Sequence, residues 1–194
     1  MLILASKSPR RRELLELAGF KIDKIISPGI DELPLKSELP VQYVKRMALA
    51  KSHAVRKRDG DFVLTADTIV FRGCRILGKP DCKSTAKKYL SLLSGCKHRV
   101  ITSVCLAYNG ETKVKNVMTV VKMKRLSTVE MNFYLDSEEW RGKAGAYAIQ
   151  GIASVFIPSI SGSYTNVVGL PLTETVNLLV GNGCIKKNKG FKNE

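Results

Sequence analysis

Two serines and three arginines stand together near the start of the chain, in the run Ser6-Lys7-Ser8-Pro9-Arg10-Arg11-Arg12. The apolar residues before this run predict a short buried strand over residues 1–5, and the leucines after it predict a helix that ends at Gly19. Ser8 is suited to cap that helix, with Pro9 as its first residue. Because the first turn of a helix presents free N–H groups and a partial positive charge, this turn suits a phosphate group. A capped surface helix with solvated arginines is the equally open alternative.

A single carboxylate, Asp67, interrupts the β-branched and aromatic run over residues 62–71, which predicts a strand. Burying an unpaired carboxylate is costly, so Asp67 either serves a cation, a metal or a reaction, or lies where the strand end meets solvent. A second acidic feature is the pair Asp31-Glu32, which follows Ser27-Pro28-Gly29 on a predicted loop. Carboxylate oxygens of this kind suit Mg²⁺ that is bridged to phosphates, although paired acids on loops are common.

Two lysines are further candidates for binding an anion. A helix predicted from residue 40 to about residue 58 has an apolar stripe that includes Met47 and Ala48, and Lys51 places a cation on that stripe. Lys79 stands in the turn Leu77-Gly78-Lys79-Pro80. Taken alone, Lys51 is more simply a lysine that extends to the helix edge, and Lys79 an ordinary turn residue.

The remaining pattern predicts how these residues are positioned. The sequence predicts a returning strand through Ile76 and Leu77, a helix over 84–93, a hairpin of 99–108 with 112–124 around Asn109-Gly110, a helix that begins at the capping box Ser127 to Glu130, and a last helix over 173–180. Strands and helices interleave, which indicates an α/β fold with a mixed sheet. Residues 142–151 are rich in small side chains, so we expect their backbone to pass close to a ligand or another segment.

The chain is strongly basic, with 32 Lys and Arg against 17 Asp and Glu and a formal net charge of +15. Such a charge attracts polyanions of any kind. We expect one domain over residues 1–183 and a basic, flexible tail over 184–194. The five cysteines are scattered without C-x-x-C spacing, which indicates thiols in a reducing cytoplasm rather than disulfides or a zinc site. No segment is long enough to span a bilayer, so no membrane association is expected.

Several well-known site motifs are missing from the sequence. It contains no G-x-x-x-x-G-K-[ST] loop, no G-x-G-x-x-G after a strand, no G-x-S-x-G elbow and no H-E-x-x-H. Walker-type ATPases, Rossmann dehydrogenases, α/β-hydrolases and zinc proteases therefore lack their defining residues here.

Seven motifs in register over nearly the whole chain up to about residue 180 closely resemble the Maf family. They are Leu4-Ala5-Ser6-Lys7-Ser8-Pro9-Arg10-Arg11, Gly29-Ile30-Asp31-Glu32, Ala66-Asp67-Thr68, Leu77-Gly78-Lys79-Pro80, Leu93-Ser94-Gly95, Lys143-Ala144-Gly145-Ala146-Tyr147-Ala148-Ile149-Gln150-Gly151, and Gly162-Ser163-Tyr164 through Val168-Gly169-Leu170-Pro171-Leu172. The chain departs from the family pattern at Arg12, at Ala148 where glycine is frequent, and in its basic tail.

The resemblance implies a fold related to the inosine-triphosphate pyrophosphatases, with an elongated mixed sheet, flanking helices and two lobes around a cleft, commonly as a homodimer. It also implies hydrolysis of a nucleoside triphosphate to the monophosphate and pyrophosphate with Mg²⁺ or Mn²⁺. By position, Asp67 matches the proton acceptor, whereas Arg10, Thr68 and Gln150 match residues tied to base selection, in the branch acting on dTTP and UTP. Phosphate binding is expected from Ser6, Ser8, Arg11, Lys51 and Lys79, and metal binding from Glu32.

Three other interpretations of the sequence stay open. The chain could be a pyrophosphatase of the 7-methyl-GTP branch, or a septum-formation inhibitor that acts by protein contact. It could also be a nucleic-acid-binding protein that uses residues 10–12 and the tail. Only 7% of the residues are aromatic and no nucleic-acid-binding motif is present, so the sequence speaks against this last class.

Overall fold

The computed structural model describes residues 1–56 and 58–184. The elements, in chain order, are β1 (Leu2–Leu4), α1 (Pro9–Leu17), β2 (Lys24–Ile25), α2 (Pro40–His53), β3 (Phe62–Arg72), β4 (Arg75–Leu77), α3 (Lys83–Leu93), β5 (Lys97–Tyr108), β6 (Glu111–Lys122), α4 (Thr128–Asp136), β7 (Ser159–Ser161), α5 (Tyr164–Val168) and α6 (Leu172–Gly181). Two short 3₁₀ helices cover Ala144–Ala146 and Ile152–Phe156. Apart from Cys184, the predicted tail lies outside the described residues.

The seven strands of the described residues form one mixed sheet in the order β2-β1-β3-β5-β6-β7, with β4 added beside β3. β1 is parallel to β2 and to β3, whereas the other pairs are antiparallel. The predicted hairpin is present, with Asn109 and Gly110 both at positive φ in the turn between β5 and β6. This architecture is the α/β fold with a mixed sheet that the interleaved elements predict.

β3 lies inside the sheet and separates two apolar layers. Leu64, Ala66 and Val70 belong to the larger core, while Ile69 and Phe71 pack with residues of α2. Because alternate residues of a strand face opposite sides, Asp67 is on the side of α2. The Asp67 carboxylate therefore lies in the layer between the sheet and α2.

The end of α2 differs from the sequence prediction. The helix ends at His53 rather than near residue 58. The chain must turn there to enter β3, and the Asp61 carboxylate holds this turn by accepting a hydrogen bond from the backbone N–H of Arg58 at 3.0 Å. The same carboxylate lies 3.4 Å from the N-terminal amine of Met1. The short elements β7 and α5 were not predicted, because each is held by contacts with distant strands rather than by its own pattern.

Among the described residues no helix is long and apolar enough to cross a membrane.

Residues 142–151 pass close to another segment, as their small side chains predict. Gly145 has a φ of 69°, and its N–H donates to the carbonyl of Gly78 at 3.1 Å. A Cβ at this position would lie 2.8 Å from Cγ1 of Val70, which is buried in β3. The segment is therefore fixed against the centre of the sheet.

We predict that Gly145→Ala destabilises the fold far more than Gly142→Ala. Both glycines have positive φ, but a Cβ at Gly142 would meet nothing within 4 Å. The backbone cost of about 1 kcal/mol is shared, while the clash at Gly145 adds roughly 1–3 kcal/mol. Urea unfolding of the two variants measures the difference, and equal stabilities would contradict the packing described above.

Candidate active site

A cleft of about 750 Å³ opens between the start of α1, the side of α2 and β3, and the segment around the first 3₁₀ helix. Its wall includes nine of the ten residues that the sequence singled out, namely Ser6, Ser8, Arg10, Arg11, Glu32, Lys51, Asp67, Thr68 and Lys79. The tenth, Gln150, is exposed and is not among the residues that line this cleft. Residues far apart in the sequence are thus brought to one concave surface, the usual setting for a small-molecule site.

Lys51 is the centre of a buried ion-pair cluster. Its Nζ lies 2.6 Å from Oδ1 of Asp67 and 2.8 Å from Oε1 of Glu32. The lysine and Asp67 are each only 8% exposed, whereas the Glu32 side chain is about half exposed. α2 positions the lysine because Val44, Met47 and Ala48 anchor the same helix face on the sheet. The cation on the apolar stripe therefore serves two carboxylates.

The charges around Glu32 set its protonation. Partial burial would raise the pKa of its carboxyl group, but the hydrogen bond and charge of Lys51 oppose this effect. The charges of Lys79 and Arg11 act in the same direction as Lys51, and the net result is a lowered pKa. Glu32 is therefore ionised at neutral pH.

Arg11 connects three segments that are distant in sequence. Its Nε donates to the carbonyl of Gly169 at 2.8 Å, Nη1 to Oγ of Ser6 at 3.1 Å, and Nη2 to Oγ1 of Thr68 at 3.0 Å. The hydroxyl of Thr68 also lies 2.9 Å from that of Thr102. Burial lowers the pKa of Arg11, and the charge of Asp67 opposes this shift. Arg11 is thus oriented before any ligand binds, with further N–H donors left over.

The start of α1 has the geometry expected of an anion-binding turn. Ser8 is the N-cap, with extended backbone, and Pro9 follows at the first helical position. The Ser8 side chain makes no capping hydrogen bond, and its backbone N–H donates to Oγ of Ser6 at 3.2 Å. No acidic residue lies in the first turn of α1. Arg12 instead lies 3.4 Å from Glu16 on the outer surface, as in the solvated-helix alternative.

The cleft also contains residues that the sequence analysis did not assign, among them Tyr43, Arg141, Lys143 and Tyr147. The hydroxyl of Tyr147 lies 2.8 Å from Nε2 of His98, and burial lowers the pKa of this histidine to about 4. His98 is therefore neutral at physiological pH, and its hydrogen bond holds the hydroxyl of Tyr147 in place. The sequence signals for Lys143 and Tyr147 were the run of small residues around them and the family motif that contains both, neither of which assigned them a role.

The donor atoms fit a divalent cation that is shared with a ligand. Within residues 1–56 and 58–184, no group of three or more His, Cys, Asp or Glu side chains is arranged to hold a metal ion. Glu32 and Asp67, however, present carboxylate oxygens that approach the same lysine nitrogen. Mg²⁺ is commonly held by one or two carboxylates together with substrate phosphates, and Glu32, the more exposed of the two acids, has the chemistry of such a ligand.

The chain is similar to known proteins over more than nine-tenths of its length. A family model described as "Maf-like protein" matches residues 1–181. A dTTP/UTP pyrophosphatase from Roseobacter denitrificans is 52% identical over 183 residues, which cover 94% of this chain and 97% of that protein. Another protein of the same name, from Cereibacter sphaeroides, is 53% identical and covers 94% of this chain and 95% of its own. A nucleoside triphosphate pyrophosphatase from Anaplasma marginale is 48% identical, with 93% of each chain covered.

A solved structure of a HAM1 protein from Coxiella burnetii is similar to this chain with a TM-score of 0.50 and 15% identity. The match covers 94% of this chain and 98% of that chain. At such identity the likeness concerns the fold alone, and it agrees with the mixed α/β architecture described above.

Proposed function

Because this chain belongs to the Maf family, we propose that it hydrolyses dTTP and UTP to the monophosphate and pyrophosphate. Relatives about 50% identical over nearly their full length carry the name dTTP/UTP pyrophosphatase. The observation that carries the proposal is the buried Asp67, which faces a cation-lined cleft and is held there by Lys51 at 2.6 Å.

In the proposed reaction Asp67 accepts a proton from a water molecule whose oxygen attacks the α-phosphorus of the nucleotide. A new bond forms between this oxygen and phosphorus, and the bond from the α-phosphorus to the oxygen that bridges to the β-phosphorus breaks. Pyrophosphate then leaves. Lys51 fixes the orientation of the Asp67 carboxylate, so that its second oxygen is available to the water.

The phosphate chain is proposed to lie against the first turn of α1. Ser6, Ser8 and Arg11 lie at or next to that turn, and Lys79 lines another part of the cleft wall. The N–H groups of a helix start and nearby cations are the groups that bind phosphates in proteins. Arg11, held by Ser6 and Thr68, would meet a phosphate with little reorganisation.

Glu32, together with the substrate phosphates, is proposed to hold Mg²⁺ or Mn²⁺. When bound, the metal supplies positive charge that neutralises the charge developing on the leaving pyrophosphate. Base selection is assigned to Arg10, Thr68 and Gln150. Arg10 and Thr68 line the cleft, whereas the role of Gln150 rests on the family resemblance, because its exposed position does not reach the cleft wall. A homodimer and a cytoplasmic location stay predictions.

A pyrophosphate-release screen over natural and modified triphosphates, with and without Mg²⁺ or Mn²⁺, tests the function. We expect metal-dependent activity on dTTP and UTP and little on 7-methyl-GTP. Preferred cleavage of 7-methyl-GTP would instead assign the chain to the 7-methyl-GTP branch of the family. If no triphosphate is cleaved but nucleic acid binds with a steep salt dependence, the enzymatic proposal would be wrong.

A further inference from the structure

Lys143 lines the cleft at a position that the backbone fixes firmly. It directly precedes the 3₁₀ helix Ala144–Ala146, and its N–H donates to the carbonyl of Trp140 at 3.2 Å. Gly145, two residues later, is packed against β3 and hydrogen-bonded to Gly78. The lysine is partly buried, so its side chain extends into the cleft from a rigid segment rather than from a free loop.

Lys7 and Lys79 line the cleft from exposed positions, whereas three other cations of the cleft have partners within the protein. Lys51 is paired with two carboxylates, and Arg11 is hydrogen-bonded to three segments. Arg141 is paired with Glu138 and lies over the ring of Trp140. Contacts within the protein explain the positions of these three side chains, which still add positive charge to the cleft.

Arg10 and Lys143 are different. Both line the cleft and are partly removed from water, and in the part of the chain that the structure describes neither has an acid within ion-pair distance. Burial lowers the pKa of Arg10, and only the charge of the more distant Glu13 opposes this effect. Burial lowers the pKa of Lys143, and the charge of Arg10 lowers it further, whereas that of Glu139 opposes. Glu139 is itself occupied, because its carboxylate accepts hydrogen bonds from the N–H groups of Ile152 and Ala153.

Two cations that repel each other in a partly desolvated cleft destabilise the empty protein. Such a pair does not help the protein to fold. Its presence in the cleft is explained if an anion binds between or beside the two cations. Phosphate oxygens are the strongest anionic groups of the nucleotide, and a lysine binds them as a compact charge. Lys143 therefore matches the phosphate chain better than the neutral base or sugar.

We propose that Lys143, which lies near Arg10, is a further substrate-binding residue that contacts the phosphate chain of the bound nucleoside triphosphate. This inference rests on the proposed function, since that function defines the ligand of the cleft. Lys143 holds the substrate but takes no part in the proton transfer. Its loss therefore weakens binding much more than it slows the chemical step.

The test compares Lys143→Ala with Lys143→Arg and with a matched control, Lys88→Ala. Lys88 is an exposed lysine of α3 outside the cleft wall, so its variant has the same change in net charge. Binding of α,β-methylene-UTP, which resists cleavage, is measured by calorimetry at fixed ionic strength. Competition by inorganic pyrophosphate and by uridine is measured in the same way, and thermal unfolding confirms that the variants are folded.

We expect Lys143→Ala to weaken binding of the analogue and of pyrophosphate about 10- to 100-fold, as for a lost hydrogen bond to a charged group. Its KM should rise similarly while kcat changes less than about threefold. Lys143→Arg should keep most of the affinity, and Lys88→Ala should match the wild type. If Lys143→Ala binds pyrophosphate as well as Lys88→Ala does, the inference is wrong.

Binding of the analogue does not depend on turnover, which separates the two proposals. A wild-type protein that binds the analogue through Lys143 but cleaves no triphosphate would refute the proposed function and leave this inference standing. If the wild type cleaves triphosphates but Lys143→Ala binds the analogue as tightly as the wild type does, the proposed function stands and this inference is wrong.

Discussion

Replacing Asp67 with asparagine should lower kcat for UTP by about 10²–10⁴-fold, the usual cost of removing a proton acceptor. Asparagine has nearly the same shape, and its amide oxygen can still accept the hydrogen bond that Lys51 donates to Oδ1. The fold and the cation-lined wall should therefore persist. Affinity for α,β-methylene-UTP should change far less than turnover does.

Steady-state kinetics and calorimetry on the same preparation of Asp67→Asn check this expectation. A loss of turnover with retained binding is the result that a proton acceptor requires. Wild-type turnover on every substrate that the wild type cleaves would remove Asp67 from the mechanism.

The second large effect concerns stability. Lys51→Met removes the cation shared by Asp67 and Glu32 and leaves a carboxylate that is only 8% exposed without its partner. Removing one member of a buried ion pair costs about 3–5 kcal/mol, and we expect a loss near this range in the free energy of unfolding. Turnover should also fall, because the orientation of Asp67 is lost. Methionine fills a similar volume, so the effect is not one of an empty cavity.

Two further variants separate the charge effect from a general defect. Lys83→Met removes an exposed lysine that pairs with Asp136, and it should cost less than about 1 kcal/mol. Adding Asp67→Asn to Lys51→Met removes the uncompensated charge and should restore roughly 1 kcal/mol or more of the lost stability. If the double variant is as unstable as the sum of the single variants, the ion pair would not be the cause.

Features that depend on neighbouring residues could be predicted from the sequence. Ser8 and Pro9 begin α1, Ser127 and Glu130 form the capping box of α4, and Asn109-Gly110 turns the hairpin. In each case the contacts join residues a few positions apart, so the local pattern contains the whole signal. Lys51 was also visible, because a cation on an apolar helix face is unusual whatever its partner.

Features that depend on distant segments could not be predicted in the same way. Arg11 was expected to bind phosphate, but its hydrogen bond to Gly169 joins positions 158 residues apart and has no local signature. The small residues 142–151 indicated a close approach without showing that Lys143 and Tyr147 face the cleft. Motif order placed Gln150 with the specificity residues, yet the direction of its side chain depends on how the loop is folded. Its role stays a prediction.

The triphosphate is proposed to lie between the first turn of α1 and Asp67. A crystal structure of the Asp67→Asn variant with UTP and Mg²⁺ tests it most directly. We expect the α-phosphate beside the residue 67 side chain, with phosphate oxygens on the N–H groups after Ser8. A nucleotide bound outside the cleft, or one whose phosphates point away from residue 67, would contradict it.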